Sequence, residues 1–246
     1  MKYILIMRLN KFIAKAGISS RRKADILIEK GKVKINGKVI TTLGIDVDVE
    51  KDIVEIEGKV LKIEYPLLVA LNKPPGYVTT LEDRHADLII TDLIQDIKLR
   101  LFPVGRLDKD AEGLILLTNN GDIAYRLTHP KFEMEKEYLV WTDGNLDWTG
   151  IKTLEKGIEW EGEILTAKKV ELLENRKIRI ILTEGKKREI KNMIRALGCT
   201  VIRLQRIRIG KMVLGDLEMG KYRIYKISET ELQSKTPYDY FLNLII

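Results

Sequence analysis

Apolar residues recur along the first sixty positions with two different periods. Leu9, Phe12, Ile13 and Ala16 stand at i, i+3, i+4 and i+7, the spacing of one helix face, and Gly17 stops the run. Ala24, Ile26, Leu27 and Ile28 predict a second helix, capped by Ser19 or Ser20 and ended near Gly31. The period then changes. Val33 to Ile40 alternates around Asn36-Gly37, a pair suited to a two-residue turn in which both positions need positive φ, so the segment predicts a hairpin. Val54 and Ile56, ahead of Glu57-Gly58, predict another short strand. Two helices followed by short strands make one small α/β module.

Glu64-Tyr65-Pro66 reads as a linker, and the remainder as one larger domain. Its apolar runs predict strands at 67–72, 113–118, 136–141, 170–173, 178–183, 200–209 and 221–227, with helices near 91–97, 121–127, 149–157 and 187–197. Several strands follow one another through short turns, so strict β-α alternation is absent. That pattern predicts an α+β fold on a mixed, mainly antiparallel sheet rather than a doubly wound one. The expected division is a module at 7–62, a larger domain at 67–234 and a C-terminal tail at 235–246, whose apolar end carries no assigned role.

Composition adds a partner class. Among 246 residues 45% are hydrophobic, enough for a sizeable core, and the net charge of +7 with a pI near 9.2 points to a polyanionic partner, either nucleic acid or an anionic membrane surface. The membrane is disfavoured because the basic residues decorate a small folded module and not an amphipathic anchor. The basic excess is concentrated: through Lys38 there are eleven lysines and arginines against Asp25 and Glu29. One cysteine, Cys199, and two histidines, His85 and His129, supply neither a disulfide framework nor a zinc cluster, so no metal is expected. The apolar runs are too short to span a bilayer, and Met1–Met7 lacks the core and cleavage site of a signal peptide, with Met7 an alternative start. A cytoplasmic protein, monomeric by default, is expected.

The run from Arg8 to Asp25 (RLNKFIAKAGISSRRKAD), followed by Gly31-Lys-Val-Lys-Ile-Asn-Gly37, resembles the S4-type RNA-binding domain over about residues 7–62. The resemblance implies that Arg8, Lys11, Lys15, Arg21, Arg22 and Lys23 meet phosphates. The residues agree with it, since Arg21, Arg22 and Lys23 fall at a helix N-terminus, where free N–H groups already favour an anion.

A second stretch, Leu101 to Gly121 (LFPVGRLDKDAEGLILLTNNG), places Arg106, Asp108, Lys109, Asp110 and Glu112 in a polar loop between two apolar runs. Taken cold, Asp108 and Asp110 suit a metal pair, an acid/base pair or plain loop solvation. Gly105-Arg-Leu-Asp108, with Leu71-Asn-Lys-Pro-Pro-Gly76, Tyr125-Arg-Leu-Thr-His-Pro130, Glu135-Lys-Glu-Tyr138 and Glu184-Gly-Lys-Lys-Arg-Glu-Ile-Lys191, resembles the RsuA/RluB family of ribosomal RNA pseudouridine synthases. The likeness runs from about Tyr65 to Ile227, with the segments in the family's order and the S4-type domain in the family's place.

The resemblance implies an isomerisation that breaks the N1–C1′ bond of uridine and rejoins the base through C5, with no cofactor. Asp108 corresponds to the family's aspartate, which attacks the nucleotide or removes a ribose proton; both routes need an ionised carboxylate, favoured by a neighbouring cation. Lys191 matches the paired basic position, although periodicity alone puts it in a solvated stripe with Lys187 and Arg195. Tyr138 matches the tyrosine that packs against the extruded base, and Leu204 is expected as an apolar wall of the uracil pocket. Arg106 is expected to meet substrate. Lys73 is expected in a rigid turn beside the cleft, available to phosphate, and His129 is expected to be structural. Ala111, Glu189 and Asn192 depart from the family's usual threonine, glutamine and basic residue.

The expected partner is ribosomal RNA or a precursor particle, leaning to the large-subunit 23S RNA, with a small-subunit 16S enzyme as the alternative. A non-catalytic S4-domain binding or assembly protein is the other alternative, disfavoured by the presence of Asp108. A methyltransferase lacks its glycine-rich cofactor loop here, and a synthetase its histidine-bearing motifs.

Overall fold

The computed structural model describes residues 6–83, 86–226 and 237–245, so His85 lies outside the described residues. The chain divides into two compact units, one of residues 1–66 with 119–121, the other of residues 67–118 with 122–246.

In the first unit β1 (Ile6–Arg8) leads into α1 (Leu9–Lys15) and α2 (Arg21–Glu29), followed by β2 (Val33–Ile35), β3 (Lys38–Ile40), β4 (Asp46–Asp48), β5 (Val54–Ile56) and β6 (Lys59–Val60). Ser20 caps α2, its hydroxyl accepting the Lys23 N–H at 3.3 Å. Asn36 and Gly37 take φ of 50° and 79°, which lets β2 and β3 pair through two residues, Ile35 against Lys38. Leu9, Ile13, Ala24, Ile28 and Val33 are the fully buried centre against which Val47, Val54 and Ile56 pack. Leu9, Phe12 and Ile13 of α1 and Ala24 and Ile28 of α2 are thus spent on this core, while Ile26, expected on the same apolar face, is left outward with the basic residues of α2.

The second unit is built on one mixed sheet, nine strands among the described residues. Along the chain these are β7 (Leu67–Lys73), β8 (Phe102–Val104), β9 (Glu112–Thr118), β10 (Lys136–Thr142), β13 (Lys169–Glu174), β14 (Lys177–Leu182), β15 (Val201–Ile209), β16 (Met212–Val213) and β17 (Tyr222–Lys226), while β11 (Ile158–Trp160) and β12 (Glu163–Leu165) form a separate hairpin. The order is β13-β14-β10-β15-β9-β7-β17, with β16 on β15 and β8 on β9. Only β9 and β15 pair in parallel among these; the other ladders are antiparallel. The expected mixed, mainly antiparallel α+β fold is what forms.

Every residue of β7 and β9 is buried, because both faces of the central sheet are covered. Val69, Leu71, Ile115 and Leu117 face one core with α4 (Trp148–Lys156) and α5 (Glu189–Ala196), through Ile151, Leu154, Ile190 and Met193. Their neighbours Leu68, Ala70, Leu114 and Leu116 face the other core with Ile123 and Leu127 of α3 (Gly121–Thr128).

That second core corrects the reading of 235–246 as a tail. Pro237–Ile245 forms a helix, α6, whose Phe241 and Ile245 are fully buried beside Leu68 and Leu116. A sheet face as apolar as β9's has to be covered, and the terminal apolar residues cover it. The helix expected near 91–97 is a 3-10 turn over Ile90–Ile94, fixed by Asp92, which accepts the Ile89 N–H at 2.9 Å. Among the described residues no helix is long and apolar enough to cross a membrane.

Candidate active site

The loop between β8 and β9 carries Arg106, Asp108, Lys109 and Asp110, and its backbone is fastened on both sides of Asp108. Thr79 holds the near side: its hydroxyl donates to the Leu107 carbonyl at 2.7 Å and accepts the Leu107 N–H at 3.2 Å. On the far side the Lys109 carbonyl accepts the Gly76 N–H at 2.7 Å and the Lys73 ammonium at 3.3 Å. A turn closes between them, Ala111 N–H to the Asp108 carbonyl at 3.1 Å. Such fastening fixes a carboxylate without touching it.

Lys73 therefore stands elsewhere than expected. It is fully buried, and its ammonium donates to the carbonyls of Pro74 (2.8 Å), Tyr77 (3.0 Å) and Lys109. Burial pushes it down to about 8, against the pull of Asp110, Asp108 and Glu112. A lysine whose donors are all spent on carbonyls inside the fold is not available to phosphate. It clips the Pro74–Tyr77 turn to the loop of Asp108.

Beneath the same loop lies Arg206 of β15, 2% exposed, with Nε donating to the Leu114 carbonyl at 2.6 Å and Nη1 reaching the Arg106 carbonyl at 3.5 Å. Gly113, opposite it in the parallel pairing of β9 and β15, has a φ of 99°, and a Cβ there would collide with the Arg206 carbonyl. Glu112 is buried and paired with Arg203 at 2.5 Å, so it is spent on the frame.

Across the loop, α5 presents Lys191. Its Nζ stands 3.1 Å from Asp108 Oδ2 and 2.5 Å from Asp110 Oδ1. Burial pushes the Asp110 carboxyl up, but the hydrogen bond and charge of Lys191, aided by Arg188, hold it below the ordinary carboxylate value. Ile190, Met193 and Ile194 are buried on the other side of α5 and fix the rotation that turns Lys191 to the loop.

Asp108 and Lys191 border a cleft of about 80 Å³, also lined by Arg106, Tyr138 and Leu204. Tyr138, from β10, and Leu204, from β15, are nearly buried at 7% and 8% exposure, and form one apolar wall. Of the residues singled out in this domain, Asp108, Lys191, Arg106, Tyr138 and Leu204 thus meet in one place and Lys73 lies behind the loop. Thr79 and Arg206 were missed: a threonine in an irregular segment and one arginine among several in an alternating strand carry no local sign of their partners.

In the first unit Arg21, Arg22 and Lys23 stand exposed on the first turn of α2. Arg21 approaches Asn10 at 3.5 Å, and Asn10 in turn donates to Asp25 at 2.8 Å. Arg8 pairs with Asp46 at 3.3 Å and donates to the Gly44 carbonyl. Lys11 and Lys15 are half-buried on α1.

Comparison with known proteins places this arrangement. Residues 67–196 match the model of the RNA pseudouridylate synthase family, and residues 7–54 match the S4 domain. The chain is 42% identical over 223 residues to an uncharacterized RNA pseudouridine synthase of Aquifex aeolicus, covering 88% of this chain and 89% of that one. It is 40% identical over 222 residues to the ribosomal large subunit pseudouridine synthase B of Bacillus subtilis, covering 88% and 91%. A crystal structure of a pseudouridylate synthase superposes with a TM-score of 0.63 at 32% identity, covering 92% of this chain and 98% of that one. The chain belongs to the RNA pseudouridine synthase family, with an S4 domain ahead of its catalytic domain.

Proposed function

We propose that this chain isomerises a uridine of ribosomal RNA to pseudouridine, in the large-subunit RNA, with Asp108 as the reacting carboxylate. The observation that carries the reading is the Asp108–Lys191 pair at 3.1 Å on the edge of a cleft walled by Tyr138 and Leu204. The target base leaves its stack to reach such a site, and the Tyr138 ring offers a face to receive it. Lys191 keeps Asp108 beside a fixed positive charge, which suits a carboxylate that attacks the nucleotide or takes a proton from its ribose. In either case the N1–C1′ bond breaks, C1′ bonds to C5, C5 gives up its proton and the freed N1 takes one up from solvent, so the net reaction balances as an isomerisation. Arg106, exposed at the cleft, is placed for the phosphate next to the target.

The large-subunit assignment rests on the likeness to the Bacillus subtilis enzyme. Arg21, Arg22 and Lys23, with Arg8, Lys11 and Lys15 on the same small unit, are assigned to the phosphates of the RNA, on free RNA or a precursor particle. A monomer in the cytoplasm, using no cofactor, completes the reading.

The test is release of tritium from 5-tritiated uridine in ribosomal RNA, comparing the wild type with Asp108→Asn. Release by the wild type alone is expected, and equal release by both would remove Asp108 from the chemistry. Mapping the product on both ribosomal RNAs decides the subunit, and modification confined to 16S RNA would overturn the large-subunit assignment.

A further inference from the structure

Two residues before Lys191, at the first position of α5, stands Glu189, a carboxylic acid only 4% exposed. Its Oε2 accepts the backbone N–H of Lys186 at 3.0 Å, which closes the loop onto the start of the helix. Its Oε1 is buried without a donor. The group beside it is a second acid, Glu184, within side-chain hydrogen-bond reach. Two carboxylates cannot bond each other, and a carboxylic acid and a carboxylate can: one proton on Oε1 gives the orphaned oxygen a partner.

The charges around this pair do not replace the proton. From the loop, Lys186 reaches the Glu184 carboxyl at 3.5 Å but is shared with Glu163 at 3.7 Å. From β10, Lys136 spends its ammonium on the Met134 and Glu184 carbonyls at 3.1 and 3.3 Å, and burial with the charge of Arg206 pushes it down to about 8. From β15, Arg206 spends Nε and Nη1 on carbonyls, and its buried Nη2, without a partner, bonds neither acid. In the cleft, Arg106, Asp108, Arg188 and Lys191 border the same space, with Lys191 committed to the aspartates.

We infer that Glu189 is a proton-bearing positioning residue: sharing one proton with Glu184 and holding the Lys186 N–H, it ties the 184–188 loop to the first turn of α5 and so sets Lys191 against Asp108. The inference rests on the proposed role of the Asp108–Lys191 pair for its effect on activity, but the shared proton does not. Burial, then Glu184, pushes Glu189 up to about 7, in agreement with the geometry. Loss of the proton leaves the buried Glu189 anion against the half-exposed Glu184 carboxylate and loosens the first turn of α5. The substitution Glu189→Gln would reproduce the protonated acid, with an oxygen for the Lys186 N–H and an N–H for Glu184, in a side chain that cannot titrate.

The experiment compares wild type, Glu189→Gln and Glu189→Ala in kcat for tritium release between pH 6 and pH 8.5. Wild-type kcat is expected to fall above pH 7. Glu189→Gln should stay within about threefold of wild type at pH 6 and remain level to pH 8.5, while Glu189→Ala loses about tenfold or more throughout with KM little changed. A falling limb shared by Glu189→Gln and wild type, or its absence from both, would overturn the proposal. Urea unfolding of the same proteins reads the proton without activity. A carboxyl raised from 4.5 to about 7 on folding adds stability in full below pH 4.5, and that stability is lost as pH rises through 7. The stability of wild type relative to Glu189→Gln should therefore fall across that window. A difference that does not change with pH would remove the shared proton. Activity retained by Asp108→Asn would instead strike only the Asp108 reading.

Discussion

Lys191 closes on Asp108 from the opposite wall of the cleft, Nζ to Oδ2 in 3.1 Å, while the same ammonium stands 2.5 Å from Asp110. One cation is thus shared by two carboxylates in different surroundings. Asp110 is largely exposed, and Asp108 is the one beside Tyr138 and Leu204. Asp110→Asn is expected to change kcat by no more than about threefold, since an exposed ion pair is worth little. Asp108→Asn is expected to abolish turnover. Equal loss in the two, measured by single-turnover tritium release, would make the chemistry a property of the pair.

Lys191→Met leaves Asp108 without its fixed cation, and kcat is expected to fall by about 10²-fold or more, the scale of losing one preorganised electrostatic partner. Lys191→Arg keeps the charge on a wider, planar head and should retain part of the rate. Wild-type kcat in Lys191→Met, with the fold intact by circular dichroism, would separate the 3.1 Å contact from catalysis.

The Tyr138 ring is nearly buried in the wall of the cleft. Base-on-aromatic stacking is worth about 1–3 kcal/mol, so Tyr138→Ala should lower kcat/KM by roughly 5- to 150-fold. Tyr138→Phe keeps the ring face and should stay within about threefold of wild type on that account. A Tyr138→Phe defect as large as that of Tyr138→Ala would transfer the function from the ring to the hydroxyl.

Lys73→Met removes the donor shared by the carbonyls of Pro74, Tyr77 and Lys109 inside the fold. Stranding buried acceptors costs about 1–3 kcal/mol each, partly relieved by water, so an unfolding free energy lower by roughly 2–4 kcal/mol is expected. The kcat should drop as the Asp108 loop loosens, with KM for RNA little changed. A raised KM and a flatter salt dependence at unchanged stability would return Lys73 to the phosphates.

What could be read ahead of the structure was what local spacing encodes. The helix faces of Leu9–Ala16 and Ile190–Leu197, and the Asn36-Gly37 turn, depend on neighbours a few positions apart. The approach of Lys191 to Asp108 joins β9's leading loop to a helix far along the chain, and spacing alone left Lys191 in a solvated stripe; resemblance to a family supplied the pairing. The burial of Lys73 depends on three carbonyls, one of them at Lys109, and nothing in Lys-Pro-Pro-Gly announces that a lysine will turn inward. Phe241 and Ile245 looked like a tail because the sheet face they cover is formed by β7 and β9, remote in sequence.

The S4 domain makes a separate prediction because its charge is presented by a capped helix end. Ser20 holds the Lys23 N–H, so Arg21, Arg22 and Lys23 project from a fixed first turn whose remaining N–H groups also favour an anion. If each of these side chains neutralises one RNA phosphate, it releases about 0.7–0.9 counterion, and Arg21→Ala, Arg22→Ala and Lys23→Ala together should flatten the slope of log K against log salt by about two to three. Ser20 is left in place so that the helix end survives. Affinity for a ribosomal RNA fragment should fall steeply at low salt, while kcat at saturating RNA should remain near that of wild type, because the cleft is built from residues of the second unit and the three belong to the first. An unchanged slope in a folded triple variant would show that this helix end serves solvation only, and would shift the docking charge to other basic residues of the chain.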